Sequence, residues 1–317
     1  VQTISRLAVW LSAFMALGTS ALGVYYGSTP AGDAESARTT VVVVGARHTL
    51  CSGVIVGSRT VLTAAHCAEQ SVGKRAAPLR VYFPLKYERV TLERDLDPER
   101  VREVTAVTRM DERERAIALN DNPSQARADQ IKTLPDDIAV LSIAGLYNAD
   151  GRDENAPAYR AATLATPKTN WKPDQPMTIA GYGLDETRGL GVLHEGELRY
   201  VFRLAIGARP MIVLQSRADV YAPKACNGDS GGGVFMHIAS ADSSTDQNPV
   251  VIGVLSAILP YSSDPSLQTK LRAGSQLSPQ ELCQLERVLV MDVRQYGALL
   301  RRAAVNDPVL TQALTRW

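Results

Sequence analysis

The segment Cys226-Asn227-Gly228-Asp229-Ser230-Gly231-Gly232-Gly233 sets one serine among four glycines. Glycine enters backbone conformations barred to residues with a Cβ, and its missing side chain lets a substrate carbonyl come close to backbone N–H groups. A serine hydroxyl is a weak nucleophile at neutral pH and needs an adjacent base. On its own a glycine-flanked serine is an ordinary turn, so its meaning depends on what else the chain supplies.

Two other segments supply the missing groups. Leu62-Thr63-Ala64-Ala65-His66-Cys67 carries a histidine, whose unperturbed pKa of about 6.5 suits a general base. Asp136-Asp137-Ile138-Ala139-Val140-Leu141 carries a carboxylate ahead of an apolar strand. A buried carboxylate fixes the imidazole tautomer and stabilises the imidazolium. A lone histidine is most often a surface or satisfied core residue, and a lone aspartate before a strand is most often a turn residue. The order His66, Asp137, Ser230 within these three segments is the strong signal.

The three segments resemble those of the trypsin/chymotrypsin family of serine proteases. The family's Thr-Ala-Ala-His-Cys pattern stands complete at 63–67 and its Gly-Asp-Ser-Gly-Gly pattern at 228–232. The intervals from Cys51 to His66 and from Asp137 to Ser230 are similar to the family's, and the resemblance covers about 24–303. It implies an all-β fold of two six-stranded antiparallel β-barrels packed face to face, with a C-terminal helix from about Met291. The cleft would lie between them, with His66 and Asp137 from the first barrel and Ser230 from the second. The implied activity is hydrolysis of peptide or protein substrates through an acyl-enzyme, with no metal and no organic cofactor.

The resemblance assigns further residues. Gly228 and Ser230 would donate backbone N–H groups to the oxyanion, and Ser256 would border the substrate and help hold Asp137. Ala180-Gly181-Tyr182-Gly183 resembles the family's glycine-aromatic-glycine turn. Cys51–Cys67 and Cys226–Cys283 would be the two disulfides. The family activates by freeing an Ile-Val-Gly-Gly-like N-terminus, whose ammonium pairs with the aspartate before the nucleophile. Here that role would fall to Val24, in Val24-Tyr25-Tyr26-Gly27, and to Asp229. The substrate pocket departs from the family. Lys224 stands where trypsin-like enzymes carry a pocket-floor aspartate, Ile258 where a glycine leaves the mouth open, and Val288 at a wall position. These substitutions predict poor cleavage after Arg or Lys and a preference for small, apolar or acidic residues. The bland reading of Lys224 is a side chain that snorkels to solvent above a small apolar pocket.

The rest of the chain fits an exported globular protein. Of 317 residues 45% are hydrophobic, enough for a core. The formal net charge of +1 leaves no uncompensated basic cluster for a nucleic-acid partner. Four cysteines suit two disulfides in an oxidising compartment, and the count alone leaves three connectivities open. Zinc is disfavoured, because the gaps lack the close ligand pairs of structural sites. Arg6 is the sole charge before Asp33, and an apolar run follows it to about Gly23. Ala21-Leu22-Gly23 offers small residues where a signal peptidase reads. Residues 1–23 are therefore expected to be a signal peptide or an uncleaved N-terminal anchor, with a secreted or periplasmic folded part. Membrane contact is expected only if the segment is retained.

Residues 24–165 are assigned to the first barrel and 166–317 to the second, with an interdomain connector within 148–175. The stretch 86–127, dense in both charges, reads as an insertion on the outside of the barrel. Another insertion is read at 261–284. Short β-branched segments punctuated by Gly, Pro and Asp carry the all-β reading, and 291–303 has helical spacing. His48, His194 and His237 read as surface or loop residues.

An α/β-hydrolase esterase also fits Gly-x-Ser-x-Gly, but it needs the order Ser, Asp, His and a helix after the serine. His237 follows Ser230 too closely to leave room for the acid. A catalytically silent protease homologue acting as an extracellular binding module is the alternative from another class.

Overall fold

Four consecutive valines, Val41–Val44, are stiff at χ1 and favour the extended backbone. They form most of β1 (Thr40–Val44), and the whole strand is buried. In this computed structural model the described residues are 24–31, 34–45, 49–68, 78–86, 88–90, 96–110, 136–147, 158–185, 191–205, 209–219, 221–237 and 249–317.

The first barrel contains β1, β2 (Leu50–Ile55), β3 (Thr60–Thr63), β4 (Arg80–Tyr82), β5 (Val101–Arg109) and β6 (Ala139–Ile143). It closes in the order β1-β2-β3-β6-β5-β4, with every neighbour antiparallel. Closure leaves no open sheet edge. The valine run shows no polar alternation because both faces of β1 are covered. Val41 and Val43 pack inside the barrel with Ile55, Val61 and Leu141. Val42 and Val44 point the other way, into a cluster shared with Tyr182 and Phe235 of the second barrel and Leu299 of the C-terminal helix. Each buried valine contributes about 1.5–3 kcal/mol relative to exposure.

The second barrel contains β8 (Pro176–Gly181), β9 (His194–Leu204), β10 (Met211–Gln215), β11 (Gly233–Met236), β12 (Val250–Leu259) and β13 (Arg287–Asp292). The order is β11-β8-β9-β10-β13-β12, and the β11–β12 pairing closes it. A two-residue strand, β7 (Thr163–Leu164), adds to β12 in parallel. Ile179, Leu198, Ile212, Leu214, Val234 and Ile252 fill the interior.

The structure corrects the sequence reading at several points. The charged stretch 86–127 is not wholly external, because 101–109 is the barrel strand β5, paired to β4 and β6. Its spaced valines Val104 and Val107 pack on the core while Glu103, Thr105 and Ala106 are exposed. Residues 111–127 lie outside the described part. The boundary at 165 also shifts. β7, inside the expected connector, already belongs to the second sheet, and residues 24–28 pair with the second barrel at Lys224 and Glu195. The C-terminal helix begins later than Met291, which is a strand residue paired with Val254. Asp292 ends the strand by accepting from Arg294 N, opening a 3-10 turn at Val293–Gln295. Only then come α4 (Gly297–Ala303) and α5 (Pro308–Leu314). The earlier helices are α1 (Glu35–Thr39), α2 (Pro265–Ala273) and α3 (Pro279–Leu282), the last two within the insertion at 261–284. His194 opens β9 opposite Gly181 and is not a loop residue. His237 is exposed, and His48 lies outside the described residues.

Candidate active site

His66 sits in a 3-10 turn, Ala65–Ala68, that follows β3 directly. Its neighbour Cys67 bonds to Cys51 on β2, with the two Cα atoms 6.0 Å apart. Asp137 lies just before β6, which pairs with β3 through Thr63 and Ala139. Adjacent strands thus deliver both side chains to one end of the barrel. His66 Nδ1 lies 2.9 Å from Asp137 Oδ2 and 3.1 Å from Oδ1. The His66 amide also donates to Oδ1 at 2.9 Å. From the second barrel, Ser256 on β12 donates its hydroxyl to Asp137 Oδ2 at 2.6 Å.

Asp137 is nearly fully buried. Burial alone would raise its pKa. The charge and ring N–H of His66, the Ser256 hydroxyl and the His66 amide outweigh that and hold it below the ordinary carboxylate range. An ionised carboxylate bonded to Nδ1 leaves Nε2 as the ring nitrogen able to take a proton.

Ser230 reaches the same place from the second barrel. Its carbonyl accepts the Ser52 amide at 2.9 Å and lies 3.7 Å from Cys67 Sγ, beside His66. The glycines around it permit this approach. Gly231 has φ +81°, and a Cβ there would stand 2.1 Å from Thr63 Oγ1 and 2.3 Å from the Ser52 carbonyl. Gly228 has φ +92°, a region costly to residues with a side chain. The Ser52 hydroxyl donates to the Gly228 carbonyl at 2.8 Å and accepts the Tyr182 amide at 2.9 Å. Ser52 therefore ties the serine loop and the 180–183 turn to the first barrel. Sequence reading missed it, because a serine in a strand carries no motif.

The fold family follows from this arrangement and from comparison. The family profile described as Trypsin matches residues 27–272, which include His66, Asp137 and Ser230. The chain belongs to the trypsin family. No curated protein matches it. Serine protease function is thus supported at the family level.

Two features of the trypsin-family framework bear on the groups around the site. Cys226 and Cys283 are bonded, with Cα atoms 4.6 Å apart, tying the serine loop to the region before β13. Asp229 is almost wholly buried and accepts amides from Cys226 at 2.8 Å and Gly183 at 3.3 Å. Burial pushes its carboxyl well above the ordinary range, and those two amides offset only part of this. Val24 is fully buried in the second-barrel core. The next residue, Tyr25, exchanges backbone hydrogen bonds with Lys224 at 2.7 and 2.9 Å. This fixes Val24 next to the pairing at Lys224, five residues before Asp229 in sequence.

Lys224 does not snorkel. It is buried, and its Nζ donates to the carbonyls of Asp219 at 2.9 Å and Ala222 at 3.0 Å. The Tyr26 ring lies 5.9 Å from it, and Tyr26 itself adopts φ +56°. Burial lowers the Lys224 pKa, against the opposing pull of Glu286 and Asp219. Ile258 pairs with Val288 across β12 and β13 and packs with Leu267 and Leu277 of the insertion and Leu285 just after it. The only potential metal-ligand cluster among the described residues is Cys51, His66 and Cys67. Its two sulfurs are bonded to each other, so it offers no thiolate to a metal.

Proposed function

We propose that the protein is an exported serine endopeptidase in which Ser230 attacks the scissile carbonyl while His66 takes its proton. Asp137, held between the His66 ring and Ser256, is the observation that carries this reading. An ionised carboxylate bonded to Nδ1 fixes the imidazole tautomer and leaves Nε2 to accept the serine proton. The amides of Gly228 and Ser230 would stabilise the oxyanion, each donor contributing about 3 kcal/mol to the transition state. The acyl group then passes from Ser230 to water, with His66 as base again.

Activation would follow cleavage between Gly23 and Val24. The freed ammonium of Val24 would neutralise Asp229, whose buried carboxyl otherwise resists ionisation. Removal of a signal peptide would then also activate the enzyme, with no separate propeptide. N-terminal sequencing of the exported protein tests this, and a start well beyond Val24 in active enzyme contradicts it.

The pocket reading favours small, apolar side chains at the cleaved bond. Lys224 directs its ammonium to the Asp219 and Ala222 carbonyls, which supports a structural role in place of recognition of an acidic substrate. Arg and Lys substrates find no acidic floor at position 224. Cleavage of a peptide library by protein beginning at Val24 tests the assignment. Cuts after small apolar residues support it, and efficient cutting after Arg refutes it. Absence of any cut, with no labelling by a fluorophosphonate, favours the silent binding module.

A further inference from the structure

Asp137 is preceded by a second carboxylate. The Asp136 side chain is mostly withdrawn from solvent, and two groups of the second barrel hold it. Arg209, in the connection between β9 and β10, donates Nη1 to Asp136 Oδ2 at 2.9 Å. Tyr296, at the start of α4, donates its hydroxyl to Oδ1 at 3.0 Å. Arg209 also donates Nε to the Gln295 carbonyl at 3.2 Å, and its guanidinium lies 5.4 Å from the Tyr296 ring centroid. Burial and the neighbouring Asp136 keep the Tyr296 hydroxyl protonated, so it remains a donor.

A charge left unbalanced on Asp136, next in sequence to the carboxylate that bonds His66, would add to that of Asp137 in favouring the imidazolium. A base that is already protonated cannot accept a proton from serine. We propose that Arg209 is a charge-balancing positioning residue, whose guanidinium cancels Asp136 so that His66 answers to the single charge of Asp137. The inference rests on reading His66 and Asp137 as the base and its partner. Among the described residues, the polar and charged groups around Asp136 and Asp137 include Ser256 from β12 and Tyr296 from α4, and Asp229 lies in the serine loop. Ser256 and Tyr296 are neutral donors. Asp229 is bonded to backbone amides, and on the reading above it is paired with the Val24 ammonium. Arg209 answers Asp136 directly, with 2.9 Å between Nη1 and Oδ2.

The direction of each change follows from charge. Arg209→Gln exposes His66 to a second negative charge, so its titration midpoint rises, by roughly 0.5–1 unit for a charge several ångströms away at a partly buried site. Asp136→Asn removes a negative charge and lowers the midpoint. The double variant Arg209→Gln/Asp136→Asn returns it toward wild type, and Arg209→Lys leaves it in place. An effect on packing alone would not reverse sign between the two single variants or cancel in the double.

The test is an NMR titration of the His66 imidazole in protein beginning at Val24, assigned by loss of the signal in His66→Ala. It needs no turnover, so it stands apart from the assignment of protease activity, which fluorophosphonate labelling reports separately. The acid limb of kcat/KM should move with the midpoint. A midpoint unchanged in Arg209→Gln overturns the proposal. Should that variant not fold, an unchanged midpoint in Asp136→Asn overturns it equally.

Discussion

Ser52 holds Ser230 across the barrel junction: the amide of the first donates to the carbonyl of the second at 2.9 Å, while the Ser52 hydroxyl grips Gly228 two residues away. Ser230 and His66, the proposed nucleophile and base, come from different barrels, so something must set their spacing. Ser52, with Thr63 Oγ1 bonded to its carbonyl at 2.8 Å, is part of that device. Ser52→Ala strands the buried Gly228 carbonyl and Tyr182 amide, at about 1–3 kcal/mol. Denaturant unfolding should show that loss. Turnover should fall more than substrate binding weakens, because only the attack geometry is disturbed.

Asp137→Asn should leave the fold intact and lower kcat by about 10⁴, because the amide favours the wrong histidine tautomer. Ser256→Ala removes one donor to the same carboxylate and should cost far less. Steady-state kinetics on one peptide substrate ranks the two, and an equal effect would show that Ser256 carries more than a single hydrogen bond.

Asp307 joins the C-terminal helix to the first barrel. Its carboxylate caps α5 through the amides of Val309 and Leu310 and also accepts from Ser58, Arg59 and Thr60 of the β2–β3 turn. Burial works against its ionisation, but the Thr60 hydroxyl, the Arg59 and Leu310 amides and the Ser58 hydroxyl prevail and lower its pKa. A depressed folded-state pKa stabilises the protein above the unfolded value, about 3.9, and that contribution disappears as pH falls through the folded value. Asp307→Ala should lose about 2–3 kcal/mol at neutral pH. Its unfolding free energy should also vary less than wild type between neutral pH and pH 3.

Lys224→Met offers a check on the pocket. The variant withdraws a donor from the Asp219 and Ala222 carbonyls, so thermal stability should fall. The ratio of rates for acidic and apolar substrates should stay constant. A selective loss of cleavage after Glu would instead place the ammonium against the substrate.

The residues of the proposed site were legible in the sequence wherever the proposed reaction dictates side-chain identity. Histidine, aspartate and glycine-flanked serine stand in short segments because each role admits few residue types. Strands such as Val41–Val44 were legible because β-branched residues dominate them. The strand β5 was hidden, since one barrel face tolerates Arg, Glu and Thr between its valines and the text reads as a charged loop. Helical spacing at 291–303 was misleading at its start, because β13 buries Met291 and the periodicity cannot see a strand partner 37 positions upstream at Val254. Ser52, Arg209 and Tyr296 escaped for a common reason: their importance comes from partners distant in sequence, and nothing local marks them.

The most direct test is to label protein beginning at Val24 with a fluorophosphonate and locate the adduct by mass spectrometry. The account predicts one adduct, on Ser230, lost in His66→Ala as well as in Ser230→Ala. An adduct on another serine, or labelling that persists without His66, would contradict it.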